Sequence, residues 1–411
     1  MTMFEMIATL LTLVAILGII NHHTLRLPRT IGLMAGSLAL SVVIILIDRS
    51  VDVVELRQAW RDLVDDMDLP HVFLDGALGF MLFAGTLHVD MTALRAQKWI
   101  VLALATIGVV LAAVVYGAGI WLIFAGSVPF TWCLVLGTIL APTDPVAVGG
   151  LLREAGLPAA PMAMVIGESL FNDGVALVLF TLSVNIATAQ PSTLGHAMLD
   201  LMREAGGGIG IGLLLGFLAY RALRLVDDVA LDLTITLALA TLSYSLAHAV
   251  HASGPLAVVV AGMAMNHKRA KAAMSEASRR QVIAFWDMMD ELLNALLFLL
   301  MGFALLSLQV DGRLVLAAAA GIALALATRL VSVALPTALL HFRDTNLLKS
   351  ITVLTWGGLR GGISVALVLT LDPSPYRGAL LVVCYAVVVF TILVQGLTMP
   401  RLVRRLYPRA A

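Results

Sequence analysis

From Trp99 to Thr143 the chain carries no Asp, Glu, Lys or Arg. A membrane helix needs about 20 mainly apolar residues, so this stretch fits one full crossing and most of a second. The rest of the chain is of the same kind: 60% of residues are apolar and 13% charged, about half the charged share of a soluble domain. A water-soluble enzyme is excluded. Disordered, collagen-like and coiled-coil chains are excluded too, because the apolar residues come in long runs. Basic and acidic residues number 26 each, which leaves no charge excess for binding nucleic acid. Cys133 and Cys384 sit inside apolar runs and form no disulfide framework.

Applied along the chain, the length rule predicts an all-α polytopic membrane protein of about thirteen transmembrane helices. They lie near 3–20, 30–47, 71–88, 99–124, 131–152, 161–187, 206–221, 232–250, 254–267, 286–308, 314–340, 350–371 and 377–399. With the C-terminal tail in the cytoplasm, 18 Lys and Arg fall in cytoplasmic segments and six in outer ones. That bias supports the spans and their orientation, with the N-terminus outside. The first apolar run has Glu5 as its only early charge and no basic start, so it reads as a retained helix. Segment 48–69 reads as an acidic outer loop with an interfacial helix, and 268–285 as a basic cytoplasmic linker. The lipid bilayer is the expected partner. No nucleotide partner, fused regulatory domain or cofactor is expected.

Charges at membrane depth are expensive and mark function by default. Asp144, Glu168, Asp173, Arg329 and Arg360 are such charges, in the fifth, sixth, eleventh and twelfth spans. In Pro142-Thr143-Asp144-Pro145 two prolines remove two helical donors, so the helix must break there. A broken backbone at this depth belongs in protein or beside a wet cavity. Thr143 then offers a hydroxyl and a carbonyl as cation ligands, and Asp144 can face the positive end of the following half-helix. The twelfth span has a matching interruption, Gly357-Gly358-Leu359-Arg360-Gly361-Gly362. Two interrupted spans in corresponding halves are the pattern of inverted-repeat transporters with discontinuous helices.

In the sixth span, Gly167-Glu168-Ser169-Leu170-Phe171-Asn172-Asp173-Gly174, helical geometry separates the acids. Ser169 and Asp173 share a face, while Glu168 shares one with Asn172 and points about 140° away from Asp173. Two directions suggest two roles. Glu168 is assigned to an ion pair with Arg360, and Asp173 to a transported ion. An arginine on Asp173 would instead hold that carboxylate permanently. Arg329 is expected to be structural, satisfying carbonyls of a broken helix or neutralising Glu291 or Asp144. Glu291 and Asn294 fit either an inner funnel or a contact between domains. The histidines, His88, His248 and His251 among them, show no metal-ligand spacing.

Together, Pro142-Thr143-Asp144-Pro145-Val146-Ala147-Val148, the 167–174 motif and Gly358-Leu359-Arg360-Gly361-Gly362 resemble the cation/proton antiporter superfamily. They are similar to its electroneutral, NhaP-like sodium/proton exchanger branch. The resemblance implies a homodimer, with a dimerisation domain near 1–98 and 206–308 and a six-helix core near 99–187 and 314–399. It implies crossing half-helices in that core. It makes Asp173 the ion-binding carboxylate, helped by Ser169 and the Thr143 backbone. It makes Asn172 the mark of the electroneutral branch, and Glu168 with Arg360 the structural ion pair. One departure stands out: many members carry an acid in the third span, where this chain has Ala84.

The expected activity is exchange of a monovalent cation (Na⁺ first, Li⁺ or K⁺ next) for H⁺, one for one, by alternating access. The expected location is a bacterial inner membrane. A passive channel would need a filter-like repeat, which is not present. An intramembrane aspartyl protease would need a Tyr-Asp or Gly-x-Gly-Asp motif, also missing.

Overall fold

The computed structural model describes residues 3–50, 76–188, 194–225, 227–267, 270, 272–308, 311–340 and 346–408. Among the described residues every regular element is helical. The helices are α1 (Met3–Ile20), α2 (Arg29–Ser50), α3 (Leu78–Leu87), α4 (Met91–Ala96), α5 (Lys98–Ala103), α6 (Val109–Ile123), α7 (Phe130–Ile139), α8 (Pro145–Ala155) and α9 (Ala159–Ala187). They continue with α10 (Leu194–Leu223), α11 (Val229–Ala249), α12 (Gly254–Met265), α13 (Glu276–Phe303), α14 (Gly312–Leu340), α15 (Leu347–Trp356), α16 (Gly362–Leu369), α17 (Arg377–Phe390) and α18 (Leu397–Leu406). A helix satisfies its own backbone, which is what a hydrocarbon solvent demands.

Nine helical stretches among the described residues are long and apolar enough to cross a membrane. The remaining expected spans hold shorter apolar helices, α3, α7, α12 and α15. Thirteen complete crossings thus remain an expectation. Of the outer loop expected over 48–69, residues 48–50 end α2, and the rest, with the start of the third span, falls outside the described residues.

Helix starts follow ordinary capping chemistry. Asp90 caps α4 through Thr92 N (2.8 Å) and Ala93 N (3.1 Å), and Asp228 caps α11 through Leu231 N (2.9 Å). Ser275 caps α13, which begins ten residues before the expected span and takes in half of the expected linker. Its first turns are polar, with Glu276 paired to Arg279 and Arg280, so a hydropathy reading sees only the buried part.

Small residues set the close packing. A Cβ on Gly212 of α10 would lie 2.4 Å from Ala257 O of α12, and one on Gly137 of α7 would lie 2.1 Å from Ala113 O of α6. On one side α13 packs on α2 and α3, and α12 packs on α3, α10 and α11. On the other, α14 packs on α6 and α17, and α7 on α6 and α9. α9 touches both sides.

The two interruptions are where the prolines and glycines put them. The backbone leaves helix over 140–144 between α7 and α8, and over 357–361 between α15 and α16. Pro145 stands first in α8, where a missing N–H costs nothing.

Candidate ion-binding site

The two breaks meet and hold each other. Asp144 N donates to Leu359 O at 2.9 Å, and Ser364 Oγ donates to Ile139 O at 2.8 Å. Arg360 Nη1 donates to Ala141 O (2.5 Å) and Pro142 O (2.6 Å), while Arg360 N donates to Thr391 Oγ1 (3.1 Å). A guanidinium therefore covers carbonyls left open where α7 ends, the place a cation suits best.

This corrects the expected pairing of Glu168 with Arg360. Glu168 is held instead by Arg329: Nη1 donates to Oε1 at 2.5 Å and Nη2 to Oε2 at 2.9 Å. Arg329 also donates from Nε and Nη2 to Leu354 O, at 3.2 and 3.1 Å. So the arginine expected to satisfy carbonyls of a broken helix does so, and it neutralises Glu168 rather than Glu291 or Asp144. The physical reason is the fork of Arg329, which reaches Glu168 from α14 with both nitrogens. Arg360 lies across the break and is committed to its carbonyls. Two glycines of the second break admit these side chains. A Cβ at Gly358 would lie 2.4 Å from Arg329 Nε, and one at Gly361 would lie 2.3 Å from Asp144 Oδ2.

Thr143, Asp144, Ser169, Asn172 and Asp173 are all buried. Thr143 Oγ1 and Ser169 Oγ are 2.8 Å apart, and Asn172 Nδ2 donates to Thr143 Oγ1 at 2.9 Å. The first break is thereby tied to the middle of α9. Asp173 is 6% exposed, and its Oδ2 accepts no hydrogen bond from the described residues. Asp144 lies within electrostatic reach of it. Burying an ionised carboxylate is costly, and a proton or a cation bound to it offsets that cost. The oxygens of Asp173, Thr143 and Ser169 suit a hard monovalent ion.

Other expected contributors stand apart. Glu291 pairs with Arg29 in the open, with neither side chain buried. Ala84 is fully buried and offers no oxygen. His88 meets Asp287 at 2.5 Å. No cluster of three or more His, Cys, Asp or Glu suited to a metal occurs among the described residues. A cavity of about 1890 Å³ is lined by Gly149 and Gly150 of α8, Ile166 of α9, and Asp287, Asp290 and Asn294 of α13, among others. Ser364 and Thr391, both of which bind the breaks, were not anticipated, since a hydroxyl in an apolar run carries no distinguishing signal.

The chain matches the family described as sodium/hydrogen exchanger, transmembrane, over residues 10–405. It is 38% identical to the Na⁺/H⁺ antiporter NhaP of Pseudomonas aeruginosa, over 98% of this chain and 97% of that one. It is 32% identical to the Na⁺/H⁺ antiporter NhaH of Halobacillus dabanensis, over 80% and 81%. Its fold superposes on the sodium proton antiporter MjNhaP1 of Methanocaldococcus jannaschii with a TM-score of 0.72, at 18% identity and 99% coverage of each chain. With the motifs, the meeting breaks and the buried carboxylate in place, the chain belongs to the transmembrane sodium/hydrogen exchanger family.

Proposed function

We propose that the protein exchanges Na⁺ for H⁺ across a membrane, with both ions competing for Asp173. The observation that carries this is the buried Asp173 Oδ2 that accepts no hydrogen bond from the described residues, beside the Thr143–Ser169–Asn172 network. Thr143 and Ser169 supply neutral oxygens to the metal ion, Asn172 orients Thr143, and Asp144 adds negative potential. Because one carboxylate binds either ion, a proton leaves whenever Na⁺ arrives. One monovalent ion moves for one proton, so the cycle carries no net charge. Relatives named as Na⁺/H⁺ antiporters support the choice of Na⁺.

In the same reading the chain forms a homodimer in a bacterial inner membrane, with its C-terminus in the cytoplasm. Residues 99–187 and 314–399 form the moving core, and 1–98 and 206–308 the dimerisation part. Alternating access exposes Asp173 to each side in turn.

The test is a pH-gradient assay in sealed vesicles, with Na⁺, Li⁺ and K⁺ in turn. The wild type should dissipate the gradient on addition of Na⁺. Asp173→Asn should show none of that response, and full activity in this variant refutes the scheme.

A further inference from the structure

Asp290 and Asn294 lie one turn apart on α13, and both line the large cavity that α8 and α9 also border. Asn294 Nδ2 donates to Asp290 O at 2.7 Å and to Asp290 Oδ1 at 3.0 Å. The amide nitrogen is therefore committed. Its carbonyl oxygen is not: Asn294 is 1% exposed and its Oδ1 accepts no hydrogen bond from the described residues. A buried carbonyl left bare is costly, and a positive ion against it removes the cost.

The cavity lining brings Arg26, Arg29 and Arg153 together with Glu154, Asp287, Asp290 and Glu291. Three acids of α13 line this cavity, and two are matched by bases: Asp287 by His88, and Glu291 by Arg29. Among the described residues, the hydrogen-bonding partner of the Asp290 carboxylate is the neutral amide of Asn294. The carboxylate and the bare carbonyl together form an all-oxygen donor set with one negative charge. Hard cations take such ligands, and a single charge suits a monovalent ion better than a divalent one. Asp144 is within electrostatic reach of Asp290 and of Asp173.

We infer that Asp290 and Asn294 form a second, staging site for the transported cation, occupied on the cavity side before the ion reaches Asp173. This rests on the cation exchange proposed above. It adds a binding site on α13, outside the broken helices.

The test uses the full chain in sealed vesicles of both orientations, with Na⁺ applied to either face. Asp290→Asn and Asn294→Leu should each raise KM for Na⁺ on the cavity side about tenfold, the scale of one lost charge-assisted contact. On the opposite face KM should stay within about twofold. Equal shifts on both faces, or no shift in KM on either, overturn the inference. A second readout is sodium-NMR line broadening by purified Asp173→Asn protein. Weak Na⁺ binding should persist in that variant and vanish on adding Asn294→Leu. If no binding persists, or if it survives Asn294→Leu, the staging site is wrong. The two readings fail separately: exchange that survives Asp173→Asn sinks the competition scheme, whereas the line widths follow Asn294 alone.

Discussion

Two buried arginines share the charged centre, and their substitutions separate their duties. Arg329→Gln strips the bidentate partner from a buried carboxylate, a loss of about 3–5 kcal/mol. Thermal unfolding in detergent should show a large drop, and adding Glu168→Gln should recover much of it. Arg360→Gln removes contacts to the Ala141 and Pro142 carbonyls and should cost about 1–3 kcal/mol. Glu168→Gln should not rescue that variant; if it does, Glu168 belongs to Arg360 after all. At Gly361, Ala would press a methyl carbon to 2.3 Å from Asp144 Oδ2. Asp144 Cβ and Cγ lie at 2.8 Å as well, so the two breaks must shift apart to admit the methyl group, and Gly361→Ala should unfold at lower temperature. Exchange in vesicles should fall about tenfold or more, because a small misplacement at a reacting group is costly.

Among the elements, the most exacting contact joins α6 and α7. A side chain at residue 137 would run into the main chain at Ala113 O, which cannot rotate away. Gly137→Leu should leave little folded protein, measured as monodisperse yield by size-exclusion chromatography. Gly149→Ala makes a fair control, since a Cβ there meets nothing within 4 Å. The breaks were legible in the sequence because Pro142 and Pro145 and the glycines of 357–362 act on their own backbone. The faces of Ser169, Asn172 and Asp173 were legible from helical periodicity. The partner of Glu168 was not, because Arg329 and Arg360 carry the same charge at the same depth and only the rotation of α14 against α9 chooses between them. The polar starts of α10 and α13 were missed for another reason. Hydropathy reports which part of a helix lies in lipid, and α13 begins ahead of that part with a capped, ion-paired turn.

Over the whole molecule, the proposed exchange of one proton for one monovalent ion means that no current flows. Imposing a membrane potential on vesicles containing the protein should drive no Na⁺ uptake, and a strong dependence of uptake on voltage would contradict the one-for-one ratio. The way the breaks are fastened also bears on biosynthesis. Arg360 follows Ala141 by 219 residues, and Ser364 follows Ile139 by 225. A ribosome will have released α7 and α8 into the bilayer long before it supplies the groups that satisfy the carbonyls between them. The early half must wait in a provisional arrangement, with either water or the translocation machinery shielding residues 140–144, and it matures only when the late half arrives. Severing the chain ahead of Ser275, before α13 begins, and expressing both pieces together should therefore restore exchange, whereas the first piece alone should be degraded.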